Sequence, residues 1–225
     1  MDIKVCIFDA YGTLFDVAAA ARRLADGPTG AALRPVWAEL ARDWRQKQLQ
    51  YTWLRAVAGQ HQDFWSLTAD ALDWALEAHN IESPALRADL LGLYWELEAF
   101  AEVPTVLAAL KTRGLRCAIL SNGTPQMLEA AVNCAGISAS LDAVLSVEDV
   151  GIFKPAPRVY DMVSKRFECS AKEVLFVSSN GWDAAAAAGY GFNTAWVNRA
   201  GEPVDRLWAK PQVILNDLNG IEGLL

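Results

Sequence analysis

Asp9 stands at the end of a short apolar run, Val5-Cys6-Ile7-Phe8, and is followed by Ala10-Tyr11-Gly12-Thr13. A buried strand ending in a carboxylate presents it in the crevice outside the strand ends, where open α/β sheets bind ligands. Three more polar clusters begin where apolar runs stop: Ser121-Asn122, Lys154-Pro155, and Ser178-Ser179-Asn180-Gly181-Trp182-Asp183. An aspartate nucleophile needs a polarised electrophile, donors or a cation for the leaving group, and a group that activates water afterwards. Each cluster can supply one part. Ser121 and Asn122 offer a hydroxyl, an amide and a helix N-terminus suited to a carboxylate or phosphate, or they cap that helix. Lys154 is either a solvated loop lysine or a fixed positive charge that keeps Asp9 ionised and oriented. Asp183 orients a water, pairs with Lys154, or caps the alanine-rich helix that starts there.

The elements that must position these groups follow from periodicity. After the first strand the pattern turns helical from about Val17 to about Glu98, with helices over 33–58, 64–79 and 85–98. Residues 26–30 (Asp-Gly-Pro-Thr-Gly) and Ser83-Pro84 break it, with Ser83 an N-cap and Pro84 at the first helical position. Six of the nine tryptophans, Trp37, Trp44, Trp53, Trp65, Trp74 and Trp95, fall in this block. They fill its own core, line an apolar pocket or form a dimer face. From Val103 helices and strands alternate: helix to 112, strand 117–120, helix 125–135, strand 143–146, helix 158–167, strands 174–177 and 194–197. That order predicts βαβ units and a doubly wound parallel sheet of the α/β class with an all-helical insert after its first strand.

Composition bounds the rest. A length of 225 residues, 53% of them hydrophobic, supports a substantial core. The net charge of -7 argues against nucleic acid or an anionic membrane surface as partner. No signal pattern precedes the first apolar run, and no run approaches the roughly 20 residues of a membrane helix. A cytoplasmic protein is expected. Cys6, Cys117, Cys134 and Cys169 lack metal-ligand spacing and read as reduced thiols. His61 and His79 fall in predicted helices away from the clusters, so carboxylates rather than imidazole carry any catalysis.

Asp9-x-Tyr11-Gly12-Thr13, Ser121-Asn122, Lys154-Pro155 and Ser178-Ser179-Asn180-x-Trp182-Asp183, in that order, resemble the haloacid dehalogenase superfamily. With Trp44-Arg45-Gln46-Lys47-Gln48-Leu49-Gln50-Tyr51-Thr52-Trp53-Leu54-Arg55 they are similar, more narrowly, to the (S)-2-haloacid dehalogenases. Phosphatases of the superfamily carry carboxylates where this chain has Tyr11 and Ser178. Those carboxylates protonate a leaving alcohol and help hold magnesium. Their absence suits a leaving group that needs no proton, such as a halide.

The resemblance implies a Rossmann-like core over residues 1–15 and 99–225, a helical cap over 16–98, and no metal or cofactor. It implies Asp9 attack on C2 of a short (S)-2-haloalkanoic acid, inversion there, and hydrolysis of the resulting ester to a 2-hydroxy acid. Arg45 and Asn122 hold the halide, and Ser121 with backbone amides after Asp9 binds the substrate carboxylate. Lys154 orients Asp9 and, with Ser178, holds its oxygens. Thr13, Tyr160, Asn180 and Asp183 complete the network, Asp183 and Lys154 activating water. Ala10, Tyr11, Leu49, Phe64 and Trp182 line the alkyl side. A homodimer through the tryptophan-rich cap is implied as well. Two other readings stay open: a magnesium-dependent phosphatase of the superfamily, and a catalytically silent binding protein of the same fold.

Overall fold

The computed structural model describes residues 2–17, 22, 24, 25, 27, 30 and 33–225. The turn expected over 26–30 and the start of the helical block near Val17 lie largely outside these residues. Six parallel strands form one sheet: β1 (Val5–Phe8), β2 (Arg116–Ser121), β3 (Ala143–Ser146), β4 (Val174–Ser178), β5 (Asn193–Val197) and β6 (Val213–Leu215). Their order is β3-β2-β1-β4-β5-β6. The chain runs outward from β1 in one direction, returns, and continues from β4 in the other, so the loops after β1 and β4 part and leave a crevice. β1 and β4 are buried throughout, as expected for strands covered on both faces.

Register decides which groups meet. Phe8 pairs with Ile119 of β2 and Val177 of β4. The residues just beyond, Asp9, Ser121-Asn122 and Ser178-Ser179-Asn180, therefore emerge side by side at one edge. Ser121 pairs with Ser146 of β3, after which the chain makes a 3-10 turn (Val147–Asp149) and delivers Lys154 to the same edge.

The described helices are α1 (Trp37–Ala58), α2 (Phe64–Ala78), α3 (Pro84–Gly92), α4 (Val103–Thr112), α5 (Pro125–Cys134), α6 (Pro157–Phe167) and α7 (Gly181–Tyr190). The first three stand between β1 and α4 and form the helical insert. Ser83 caps α3 by accepting from Leu86 N with Pro84 following, as the sequence predicts, and Asp63 caps α2 in the same way by accepting from Ser66 N. The helix expected over 85–98 stops at Gly92 and continues as a 3-10 turn, Leu93–Trp95. Strand β6, Val213-Ile214-Leu215, is apolar throughout but only three residues long, too short for a periodicity to show in the sequence. Neither histidine lies in a helix body. His61 is in the loop between α1 and α2, its Nε2 2.9 Å from Glu148 Oε2 and its ring 4.8 Å from that of Phe153, so it borders the third cluster after all. His79 ends α2 and meets Asp43 at 3.0 Å. Of the insert's tryptophans, Trp44 is core, whereas Trp53, Trp74 and Trp95 are each more than a third exposed.

Ile7, wholly buried at the centre of β1, tests this frame. Ile7→Ala is expected to destabilise the fold by about 2–5 kcal/mol through lost burial and a residual cavity. Urea unfolding should show a lower midpoint with an unchanged slope.

Candidate active site

The turn after β1 is tight because the Ala10 carbonyl accepts from the amides of Thr13, Leu14 and Phe15. Gly12 sits in it at φ 84°, a left-handed conformation that side chains disfavour, and a Cβ there would press to 3.0 Å from Ser179 Oγ. The turn swings Thr13 back under Asp9. The Thr13 hydroxyl donates to Asp9 Oδ2 at 3.1 Å, lies 3.1 Å from Ser179 Oγ, and accepts from Ser179 N at 2.8 Å. Asn180 Nδ2 donates to the same carboxylate oxygen at 2.9 Å. Asp9 Oδ1 accepts from Lys154 Nζ at 3.1 Å.

Lys154 is 1% exposed, which removes the solvated-loop reading. Its ammonium bridges Asp9 and Asp183, donating to Asp183 Oδ2 at 2.8 Å, while Tyr160 OH donates to Asp183 Oδ1 at 2.8 Å. Burial works to lower the Lys154 ammonium, but the charges of Asp183 and Asp9 outweigh it and hold it above its ordinary value of 10.5. Burial raises the Asp183 carboxyl, with Lys154 opposing and Asp9 adding to the rise. Burial likewise lifts the Tyr160 phenol well above its ordinary value, so it remains a donor to Asp183.

The competing capping roles do not occur. Thr124, not Ser121 or Asn122, caps α5 by accepting from Met127 N. Asn122 Oδ1 instead accepts from Lys154 N at 3.0 Å and fixes that loop, while Ser121 Oγ accepts from Gly123 N at 3.1 Å. α7 begins after Asn180 without a side-chain cap, which leaves Asp183 for the ammonium. Ser178 is placed differently from its expected role. Its Oγ accepts from Asn180 N at 3.1 Å, and the oxygens of Asp9 are held by Lys154, Thr13 and Asn180.

The insert reaches the cluster through Arg45 on α1, whose Nη2 donates to Asn180 Oδ1 at 3.3 Å. A wall of rings flanks it: Tyr11 packs against Phe64 at 6.1 Å and Tyr94 at 5.7 Å, and Phe64 against Phe153 at 6.2 Å. Phe64 N donates to Glu148 Oε1 at 3.2 Å, which ties the insert to the sheet. Among the described residues the buried Tyr11 hydroxyl has no hydrogen-bond partner, and it lies beside Gly123, where a Cβ would come within 2.8 Å of it. Ala10 is buried in the turn, and Leu49 is half-buried on α1. Trp182 packs edge-on against Trp53 at 5.4 Å and lines an apolar groove of about 480 Å³ that also includes Phe153 and Pro155, the neighbours of Lys154.

A family model for haloacid dehalogenase-like hydrolases matches residues 3–191. The chain belongs to this family. Among relatives of the haloacid dehalogenase-like chain, (S)-2-haloacid dehalogenase 1 of Pseudomonas sp. (strain CBS-3) is 42% identical over 99% of this chain and 96% of that protein. The solved structure of the L-2-haloacid dehalogenase RSc1362 superposes with a TM-score of 0.94 at 40% identity, covering 100% of this chain and 99% of that one. The L-2-haloacid dehalogenase of Xanthobacter autotrophicus with chloropropionic acid covalently bound gives a TM-score of 0.86 at 35% identity, covering 99% and 98%.

Sequence reasoning passed over Ser179, although the cluster was in view, and it assigned nothing to Gln48, Thr68, Tyr94 or Glu148. Gln48 was findable: it lies four residues after Trp44, on the face of α1 that packs inward.

Replacing Lys154 with Met leaves two buried carboxylates facing each other without a cation, and a loss of about 3–5 kcal/mol is expected. Because the folded state binds the lysine proton more tightly than the unfolded chain, this contribution is complete below 10.5 and declines as pH rises through the folded-state value. Urea titrations of both proteins should show the gap between them closing in strong alkali.

Proposed function

We propose that this haloacid dehalogenase-like hydrolase cleaves the carbon-halogen bond of short (S)-2-haloalkanoic acids and releases (R)-2-hydroxy acids. The observation that carries the reading is the Asp9 carboxylate, held by Lys154, Thr13 and Asn180 and linked through Asn180 to a guanidinium from the insert. Such a group is fixed in direction and stripped of most water, which suits attack at carbon.

In the first step an Asp9 oxygen attacks C2 from the side opposite the halogen. The C–O bond forms as the carbon-halogen bond breaks, configuration inverts, and halide leaves toward Arg45 and Asn122. Arg45 is fitted to this because a guanidinium donates only, and its charge counts for more beside aromatic walls than in water. Ser121, with backbone amides after Asp9, receives the substrate carboxylate, and Ala10, Tyr11, Leu49, Phe64 and Trp182 enclose its alkyl part. In the second step water attacks the Asp9 carboxyl carbon. Asp183, raised by burial, is the base that accepts the water proton, with Tyr160 and Lys154 holding it in place. Collapse returns the Asp9 carboxylate and the hydroxy acid, and the proton passes to solvent. Ser178 supports this step through the Asn180 amide.

Residues 16–98 act as the cap and 1–15 with 99–225 as the core. A cytoplasmic enzyme fits four unpaired thiols, one of them, Cys134, exposed. A homodimer through the cap fits the exposed Trp53, Leu54 and Val57 on α1, and light scattering should give twice the chain mass.

The phosphatase reading finds less support. Tyr11 and Ser178 replace the two extra carboxylates, and among the described residues no three His, Cys, Asp or Glu side chains converge as metal ligands.

The deciding assay is halide release from (S)- and (R)-2-chloropropionate with chelator present. Release from the (S) form alone is expected, and Asp9→Asn should lower it by more than about 1,000-fold. Release from neither substrate by folded protein would overturn the reading.

A further inference from the structure

Helix α1 buries Leu40, Trp44, Gln48 and Thr52, a stripe at four-residue spacing that packs inward. Gln48 is the unexpected member. A primary amide with no solvent exposure is costly unless its groups are hydrogen-bonded, and an aliphatic side chain would fill the stripe without that requirement.

Its surroundings fix its orientation. A guanidinium offers no acceptor, so the amide oxygen must face Arg45, whose Nη1 donates to Gln48 Oε1 at 2.7 Å. The amide nitrogen then donates to Thr68 Oγ1 at 2.7 Å and Tyr94 OH at 3.2 Å. Both partners are braced. The Thr68 hydroxyl donates to Phe64 O at 2.7 Å on α2, and the Tyr94 ring packs against Trp44 at 5.4 Å and Tyr11 at 5.7 Å.

Arg45 and Gln48 lie three residues apart on one helix face, so the contact holds the arginine along its own helix. A free arginine samples many rotamers. With Nη1 held by Gln48, Nη2 reaches Asn180 Oδ1, and Asn180 Nδ2 reaches Asp9. An unbroken line of donors and acceptors thus runs from the interior of the insert to the nucleophile.

We propose that Gln48 is a positioning residue for halide departure: braced by Thr68 and Tyr94, it aims the Arg45 guanidinium at the leaving group. This rests on the reading of Arg45 as a halide donor given above. Gln48 touches no reacting atom and acts only through Arg45.

The test is Gln48→Met, which keeps length and bulk but removes both polar ends. It is compared with wild type on (S)-2-chloropropionate and (S)-2-bromopropionate, using kcat/KM, which reports the steps up to halide departure. A misaimed donor is expected to cost about 30-fold with chloride and about 5-fold with bromide, because the poorer leaving group depends more on its donors. The bromide-to-chloride ratio should therefore rise by about 6-fold. A smaller folded fraction lowers both values equally and leaves the ratio alone, so the ratio separates aim from structure. If Gln48→Met does not fold, Tyr94→Phe, which removes one oxygen from the brace, is expected to move the ratio about 2-fold in the same direction. An unchanged ratio in the folded variant overturns the proposal. Absence of halide release from wild type would instead sink the dehalogenase reading, and it is seen before any variant is compared.

Discussion

One ammonium group lies between two carboxylates that water scarcely reaches. Lys154 is what allows Asp9 and Asp183 to share the end of a parallel sheet, since two anions at that distance in a low dielectric would otherwise drive one of them to take up a proton. Asp9 and Lys154 come from two different loops and Asp183 from the first turn of α7, so no local segment holds them together. The ion triad assembles only once β1, β3 and β4 have their registers, and the strands can keep such charges at their ends because each has a partner waiting.

The sheet supplies the place and the insert supplies the medium. Strands on either side of β1 lead their connections apart, which opens the crevice at the strand ends where Asp9 emerges. The insert that enters after β1 then covers this opening, Phe64 and Tyr94 packing against the ring of Tyr11 from the turn after β1. Apolar walls strengthen the pull of the few fixed charges inside them. That compensates for a protein whose overall charge of -7 repels the anionic substrates proposed for it.

Much of this was legible in the sequence because the signals are local. Apolar runs that stop at polar clusters mark strand ends, and Ser83-Pro84 marks a helix start through steric and capping preferences of those residues alone. The four clusters gave the site its membership. What the chain could not disclose was the wiring. Whether Asn122 caps a helix or steadies the Lys154 loop depends on Thr124 taking the cap first. Whether Ser178 faces Asp9 or the Asn180 amide depends on the twist of the turn after β4. His61 shows the same limit from the other side: its place in the helical block says nothing of Glu148 and Phe153, the neighbours it meets from about ninety residues away in sequence.

Asn180 has one further consequence. Its amide accepts from Arg45 with its oxygen and donates to Asp9 with its nitrogen, so the two ends cannot be exchanged without breaking both bonds. The side chain is a directional coupler between two bodies of the molecule. Arg45 on the insert fixes the rotor of Asn180, and with it one lone-pair direction on the carboxylate. The contact that joins the insert to the core therefore also sets one of the bonds that orient the nucleophile, and neither can be altered alone.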